Sequence, residues 1–307
     1  MNHGSPRYIE ISLFVCALLA GATGAATASD TNDARTVERR VAASPDGVVE
    51  ITNVSGLINV SGWDRDEVQV VGRLGRDVER LDVLRDADRT RIRVVLPRKG
   101  DVRGSTDLTV RVPTASSIEV SAVSADVKIS GTTGRQLLKT VSGDVATQID
   151  TADTDVTAVS GAIRLHGAGR AADVRVNSVS GDLILENFSG SVDAVTVSGD
   201  IQLDMAKARE LRVRSTSGDV LVQAQLSRDG RMEVTTVSGD MRITVPTEAG
   251  FTADAKTFSG DITGCLAAEA ESASKYGPGK RLDIRQGEAS ATIRLKSLSG
   301  DIDICDR

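Results

Sequence analysis

From residue 115 onward, apolar and polar residues alternate with period two, and a Ser-Gly or Ser-Ala pair interrupts the alternation again and again. The pair begins at Ser124, Ser142, Ser160, Ser180, Ser198, Ser217, Ser238, Ser259 and Ser299, so the intervals are 18, 18, 20, 18, 19, 21, 21 and 40 residues. An outlying copy begins at Ser55. A near-constant interval of this size marks a stacked-repeat architecture. No stretch of the repeat sustains a helical period.

With each Ser as position zero, position +3 carries Val127, Val145, Ile163, Leu183, Ile201, Val220, Met241, Ile262 and Ile302. Position +5 is mostly apolar, and position −1 is Val in most copies. Side chains alternate along a strand, so −1, +1, +3 and +5 read as one inward face, with Ser at zero and Asp at +2 outward. An upstream strand puts −6 and −4 inward, as in Val174/Val176 and Leu211/Val213. The odd step from −4 to −1 predicts a phase slip at the small residue of −2, at a bulge or corner.

Two short strands, a corner and a return make one coil, which buries its apolar face only when stacked on its neighbours. At about 4.8 Å per coil, the stack from Ser124 onward is roughly 40 Å long. The expected fold is all-β: a β-solenoid, or single-stranded β-helix, right-handed because parallel crossovers nearly always are. An antiparallel β-sandwich is the alternative, but it does not require the same chemistry in every column.

The chain divides into residues 1–28, a flexible polar segment 29–45, an N-terminal β region 46–115 and the solenoid 116–307. Residues 48–60 follow the repeat template. Glu67–Leu74, Arg80–Leu84, Arg91–Leu96 and Asp107–Val112 read as strands of different spacing that cap the first coil, with a turn at Asp86–Arg89. Near the other end, Lys275–Gly279 is a loop. Arg281–Arg285 and Ala291–Lys296 read as a hairpin that protects the terminal edge.

Composition narrows the class. Aromatics are 2%, so the core relies on Val, Ile, Leu and Ala; a net charge of −6 lacks the basic footprint of a nucleic-acid binder. Arg7, an apolar run from Ile11 to Ala20 and Ala26-Thr27-Ala28 read as a signal peptide cut after Ala28. Cys16 leaves with it, and no segment of the mature chain is long and apolar enough to span a bilayer. Two cysteines remain, each six residues after its Ser: Cys265 and Cys305. If their coils are adjacent, the Cα atoms lie about 4.8 Å apart, within the roughly 4.4–6.8 Å that a disulfide tolerates. An extra coil hidden in the 40-residue interval would set them about 9.6 Å apart, too far to bridge. However, Arg281–Lys296 alternates on both sides of a Gly turn and lacks Ser-Gly-Asp, so it reads as an extruded hairpin and a Cys265–Cys305 disulfide is expected.

The chemistry on offer is a column of carboxylates at +2: Asp126, Asp144, Asp182, Asp200, Asp219, Asp240, Asp261 and Asp301, with Ala162 as the exception. Neighbours at coil spacing repel by about 1 kcal/mol in water, so something must offset the charge. Hydrogen bonds from Ser hydroxyls or turn amides would do so. A cation such as Ca²⁺, held by Asp144, Asp182, Asp200, Asp219, Asp240 and Asp261, is the sharper alternative, although the Gly-Gly-x-Gly-x-Asp motif of calcium solenoids is absent. No other cofactor is expected. His166, the one mature histidine, falls in the polar +6 column without a nucleophile motif. Asn53, Asn59 and Asn187 sit in glycosylation-type sequons.

Val54-Ser55-Gly56, Val60-Ser61-Gly62-Trp63-Asp64, the serial Val-Ser-Gly-Asp copies and the final Ser299-Gly300-Asp301-Ile302 resemble a bacterial family of exported β-strand-repeat proteins, a domain of unknown function labelled as candidate adhesins. The resemblance spans roughly residues 45–305. It implies the fold and export, and it carries over no catalytic residue. The leading expectation is a non-enzymatic envelope or surface protein in the periplasm or at the cell surface, an adhesin-like scaffold for an envelope or surface protein or a glycan. A polysaccharide-cleaving β-helix enzyme is the second reading, weakened by the few rings available to stack on sugars. A structural periplasmic accessory of the envelope-stress type is the third.

Overall fold

The computed structural model describes residues 34–97, 104–150, 152–246, 250–265, 270–273, 278–288 and 290–306. The expected signal peptide and part of the loop around Tyr276 lie outside them. Among the described residues every regular element is a strand, and the strands join in one hydrogen-bonded sheet.

Successive coils pair in parallel and in register, because each carries the same apolar rows at the same offsets. Ser55 aligns with Ser124, Ser124 with Ser142, and so on through Ser160, Ser180, Ser198 and Ser217 to Ser238. The apparently outlying Ser55 copy is therefore an ordinary coil. On its other side the strand Val48–Trp63 pairs in parallel with Arg89–Val95 and Thr106–Pro113. Those two strands in turn take Arg80–Asp86 and Glu67–Leu74 as antiparallel neighbours. Arg35–Ala42, expected to be a flexible polar segment, lies antiparallel along Glu67–Leu74, with Val37 and Val41 packed against the core.

The C-terminal order differs from the chain order. Ser238 aligns with Ser299, and Ser299 with Ser259, so the last coil in sequence is threaded between two earlier ones. The expected hairpin does not form. Lys280–Gln286 pairs antiparallel with Phe251–Ser259, which separates it from Ala291–Ser299. Charge supplies a physical reason. Arg294 sits in register between Glu233 and Asp254, whereas stacking in chain order would set those two acids against each other.

The corner also falls elsewhere than expected. Positions −6, −4 and −2 alternate inward without interruption, and the small −2 residues (Ala122, Thr140, Ala158, Ser178, Thr196) are buried. Position −1, expected inside, is outside. The phase changes three positions later, at the glycine of +1. At Gly199 φ is +130° and at Gly218 it is +121°, a region that side chains rarely enter. A Cβ on Gly199 would lie 2.4 Å from the carbonyl oxygen of Gly181, and one on Gly218 would lie 2.3 Å from that of Gly199. Each glycine is thus required twice, for its backbone angle and for the carbonyl stacked on its Cα. Past the corner, +3 and +5 return inward, as Leu183/Leu185 and Ile201/Leu203.

Replacing Gly218 by Ala is expected to lower unfolding free energy by more than about 2 kcal/mol, since strain and clash act together. Gly131, with φ +67° and no atom within 3.4 Å of an added Cβ, serves as the control. Gly131→Asn should cost less than about 1 kcal/mol. Urea denaturation of both variants checks this; equal losses would remove the stacking explanation.

Candidate binding face

Because the chain turns at Ser-Gly, three columns of side chains are set along the corner. The first is apolar. Val123, Val141, Val159, Val179, Val197, Val237, Leu298 and Phe258 form a row, each 44–55% exposed. Thr216 interrupts the row and Val54 stands at its N-terminal end. Single exposed apolar residues are ordinary, but a contiguous line of them marks an interaction surface. Sequence reasoning missed it because it assigns valine to the interior and the small −2 residues to a bulge or corner. The signal was there in side-chain volume: −2 holds only Ala, Ser, Thr or Asn, as a tight interior row requires.

The second column is the serine row at the corner. The third is the aspartate row, and its role is visible bond by bond. Asp126 Oδ1 accepts the backbone N–H of Asp144 at 2.9 Å, and Asp144 Oδ1 accepts that of Ala162 at 2.9 Å. Asp182, Asp200, Asp219, Asp240 and Asp301 do the same for the amides of Asp200, Asp219, Asp240, Asp301 and Asp261, at 2.7–3.0 Å. In these coils the turn amide after the glycine is thereby satisfied by the coil beneath it. Ala162 supplies no carboxylate, so the chain of bonds breaks before Asp182. Asp261, in the last coil of the stack, pairs with Lys280 instead.

Asp144, Asp182, Asp200, Asp219, Asp240 and Asp261 therefore share one row, as the sequence suggested, with Asp301 inserted between the last two. The row commits one oxygen of each bridging carboxylate to an amide. Among the described residues, the one group of three metal-type ligands within 4.8 Å of one another is Cys265, Asp303 and Cys305. Its two sulfurs form a disulfide, with Cα atoms 4.7 Å apart, which leaves no thiolate for a metal. The bridge fastens the threaded coil to its outer neighbour.

Elsewhere the outward side chains pair with one another. At −5 the residues in stacking order are Asp155, Arg175, Asp193, Arg212, Glu233, Arg294 and Asp254, alternating in sign. Partial burial works against the charge of Asp254. Lys256 Nζ at 3.0 Å and Arg281 Nη2 at 2.7 Å outweigh it and hold the carboxyl below its ordinary range. A depressed carboxylate pKa stabilises at neutral pH, and that contribution is lost as pH falls through it. His166 Nδ1 lies 3.7 Å from Glu186 Oε2 on an open surface. Two of the sequon asparagines are structural: Asn53 is buried and donates to Ser55 and Thr106 carbonyls, and Asn187 donates to Gly167.

The chain matches a family described as Toastrack DUF4097 over residues 90–229 and 208–305. Among solved structures it is similar to a candidate adhesin from Bacteroides fragilis, with 14% identity and a TM-score of 0.45 over 88% of this chain and 97% of that one. A candidate lipid-binding protein from Parabacteroides distasonis aligns at 12% identity and a TM-score of 0.40, over 90% and 98% of the two chains. A candidate adhesin from Parabacteroides merdae aligns at 8% identity and 0.33, again over 90% and 98%. No curated protein matches the chain.

Two outcomes follow from the bonding. Ala162→Asp should restore the missing acceptor for the Asp182 amide and raise stability by about 0.5–1 kcal/mol, while Asp219→Ala should lower it by about 1 kcal/mol; both figures are reduced for solvent exposure. Thermal melts check both, and a rise in melting temperature with millimolar Ca²⁺ that Asp219→Asn abolishes would support the cation reading. The Cys265–Cys305 bridge should appear intact in non-reducing peptide maps, and its loss should cost about 2–4 kcal/mol.

Proposed function

Because the chain belongs to the Toastrack DUF4097 family, we propose that it is an exported, non-enzymatic scaffold that binds a partner of the cell envelope or surface along its solenoid. The observation that carries this is the exposed apolar row at −1, which crosses coil after coil on one edge. Folding alone gives no reason to leave that much aliphatic surface in water, whereas recognition does. The carboxylates that would have served a glycosidase are spread one per coil and bonded to amides, which favours a scaffold over a hydrolase.

Export is supported by the signal-peptide pattern at residues 1–28 and by the disulfide, which persists in oxidising compartments such as the periplasm or cell surface. The coil is taken as right-handed. The antiparallel strands at both extremities act as caps that stop the parallel sheet from adding foreign strands. Among the described residues no helix is long and apolar enough to cross a membrane.

In living envelopes, a photo-crosslinker at Ser180 should capture a discrete set of products. The variant Val159→Lys/Val197→Lys, folded by circular dichroism, should lose them at least tenfold. Unchanged capture would remove the row as the binding face. Polysaccharide turnover that dies with a single Asp substitution would replace the scaffold with an enzyme.

A further inference from the structure

Resting on that assignment of the apolar row, we propose that its occupant is a second copy of this chain, docked row to row about a two-fold axis parallel to the stack.

The first ground is periodicity. The row repeats once per coil, about every 4.8 Å, over ten coils. A partner that interdigitates along its whole length must carry the same repeat. Another copy does so with no adjustment.

The second ground is charge, which also selects the orientation. On one side of the apolar row lie the serine row at 0 and, beyond it, the Asp row at +2. On the other side, position −3 carries the cations Lys139, Arg214, Lys296 and Lys256 and no anion. A two-fold axis parallel to the stack exchanges left and right and preserves height, so each −3 residue faces the +2 residue of the same coil in the partner. All four cations then meet carboxylates: Lys139 faces Asp144, Arg214 faces Asp219, Lys296 faces Asp301 and Lys256 faces Asp261. Arg214 and Lys256 also hold Asp193 and Asp254 within the chain, yet both remain about half exposed. An axis across the stack would instead set the Asp row against itself, and like charges in opposition are penalised.

The third ground is shape and extent. The parallel two-fold matches residues of equal size, setting Phe258 and Leu298 against their own copies, whereas the crossed arrangement sets Phe258 against Val54. A strip of ten coils and six residue positions measures about 43 by 16 Å. That is on the order of 700 Å² per copy and 1,400 Å² in total, within the range of stable protein–protein interfaces.

Sedimentation of the purified mature chain tests the proposal. The expected result is a dimer that Val179→Lys weakens at least about 100-fold, with the melting temperature held near wild type. Single cysteines supply a readout independent of affinity. Under mild oxidation, Val123→Cys and Val237→Cys should each cross-link to its own copy, which the crossed arrangement cannot give. A chain that stays monomeric to 100 μM and forms neither cross-link overturns the proposal. If the row variants then still lose their envelope cross-links, the row binds another partner and the scaffold assignment stands. If those are unaffected, both fail. A monomer that sediments with phosphatidylglycerol vesicles and loses this with Val179→Lys would make the occupant a lipid surface, also against the proposal.

Discussion

A parallel stack of coils has one weak point, the amide that follows each corner glycine. The glycine must take a positive φ to turn the chain, and in doing so it carries the next N–H out of line with the sheet. A carboxylate from the coil beneath accepts a hydrogen bond from that amide. The +2 position thus belongs energetically to the coil above it, and the coils are joined by side chains as well as by backbone. This bond also explains why like charges tolerate being stacked. Each bridging carboxylate accepts a charge-assisted hydrogen bond, which offsets repulsion from its neighbours.

Much of this was legible in the sequence. The interval between Ser residues marked the coils from Ser124 to Ser259, the +3 and +5 rows marked one wall of the core, and Cys265 and Cys305 fell in one column of the repeat, where neighbouring coils allow a bridge. Two features were hidden for physical reasons. Period-two logic assigns a row to one face or the other, but a positive φ inverts the assignment, and φ is not written in the residue that it displaces. Val179 therefore read as interior when only the rotation at Gly181 decides. The threading of residues 291–305 was hidden for another reason. Chain order is the natural guess for stacking order, and the register between Glu233, Arg294 and Asp254 that contradicts it becomes meaningful only when the three are placed side by side.

The same economy that builds the stack creates its surface. Each coil spends its large apolar residues at −6, −4, +3 and +5, and the −2 row is kept small where the corner closes. The valine at −1 is then left over, facing outward beside the buried −2 residue. A repeat of one such residue becomes a line that no single coil would display. The unusual feature of the molecule is thus a property of the stack, generated by copying, and its polar flanks are copied with it.

The threaded coil bears on how the chain reaches this state. A solenoid whose coils follow chain order can zip up from one end as it leaves a ribosome or an export channel. Here the coil ending in Cys265 rests on a coil synthesised after it, and the coil of Ser55 likewise rests on strands synthesised later. Neither end can be laid down in passing. Each must wait, with its apolar side open, until a later segment arrives and slides beneath it. Emergence of the chain and completion of its fold are therefore separate events, and the interval between them is when an outside helper would have a surface to hold.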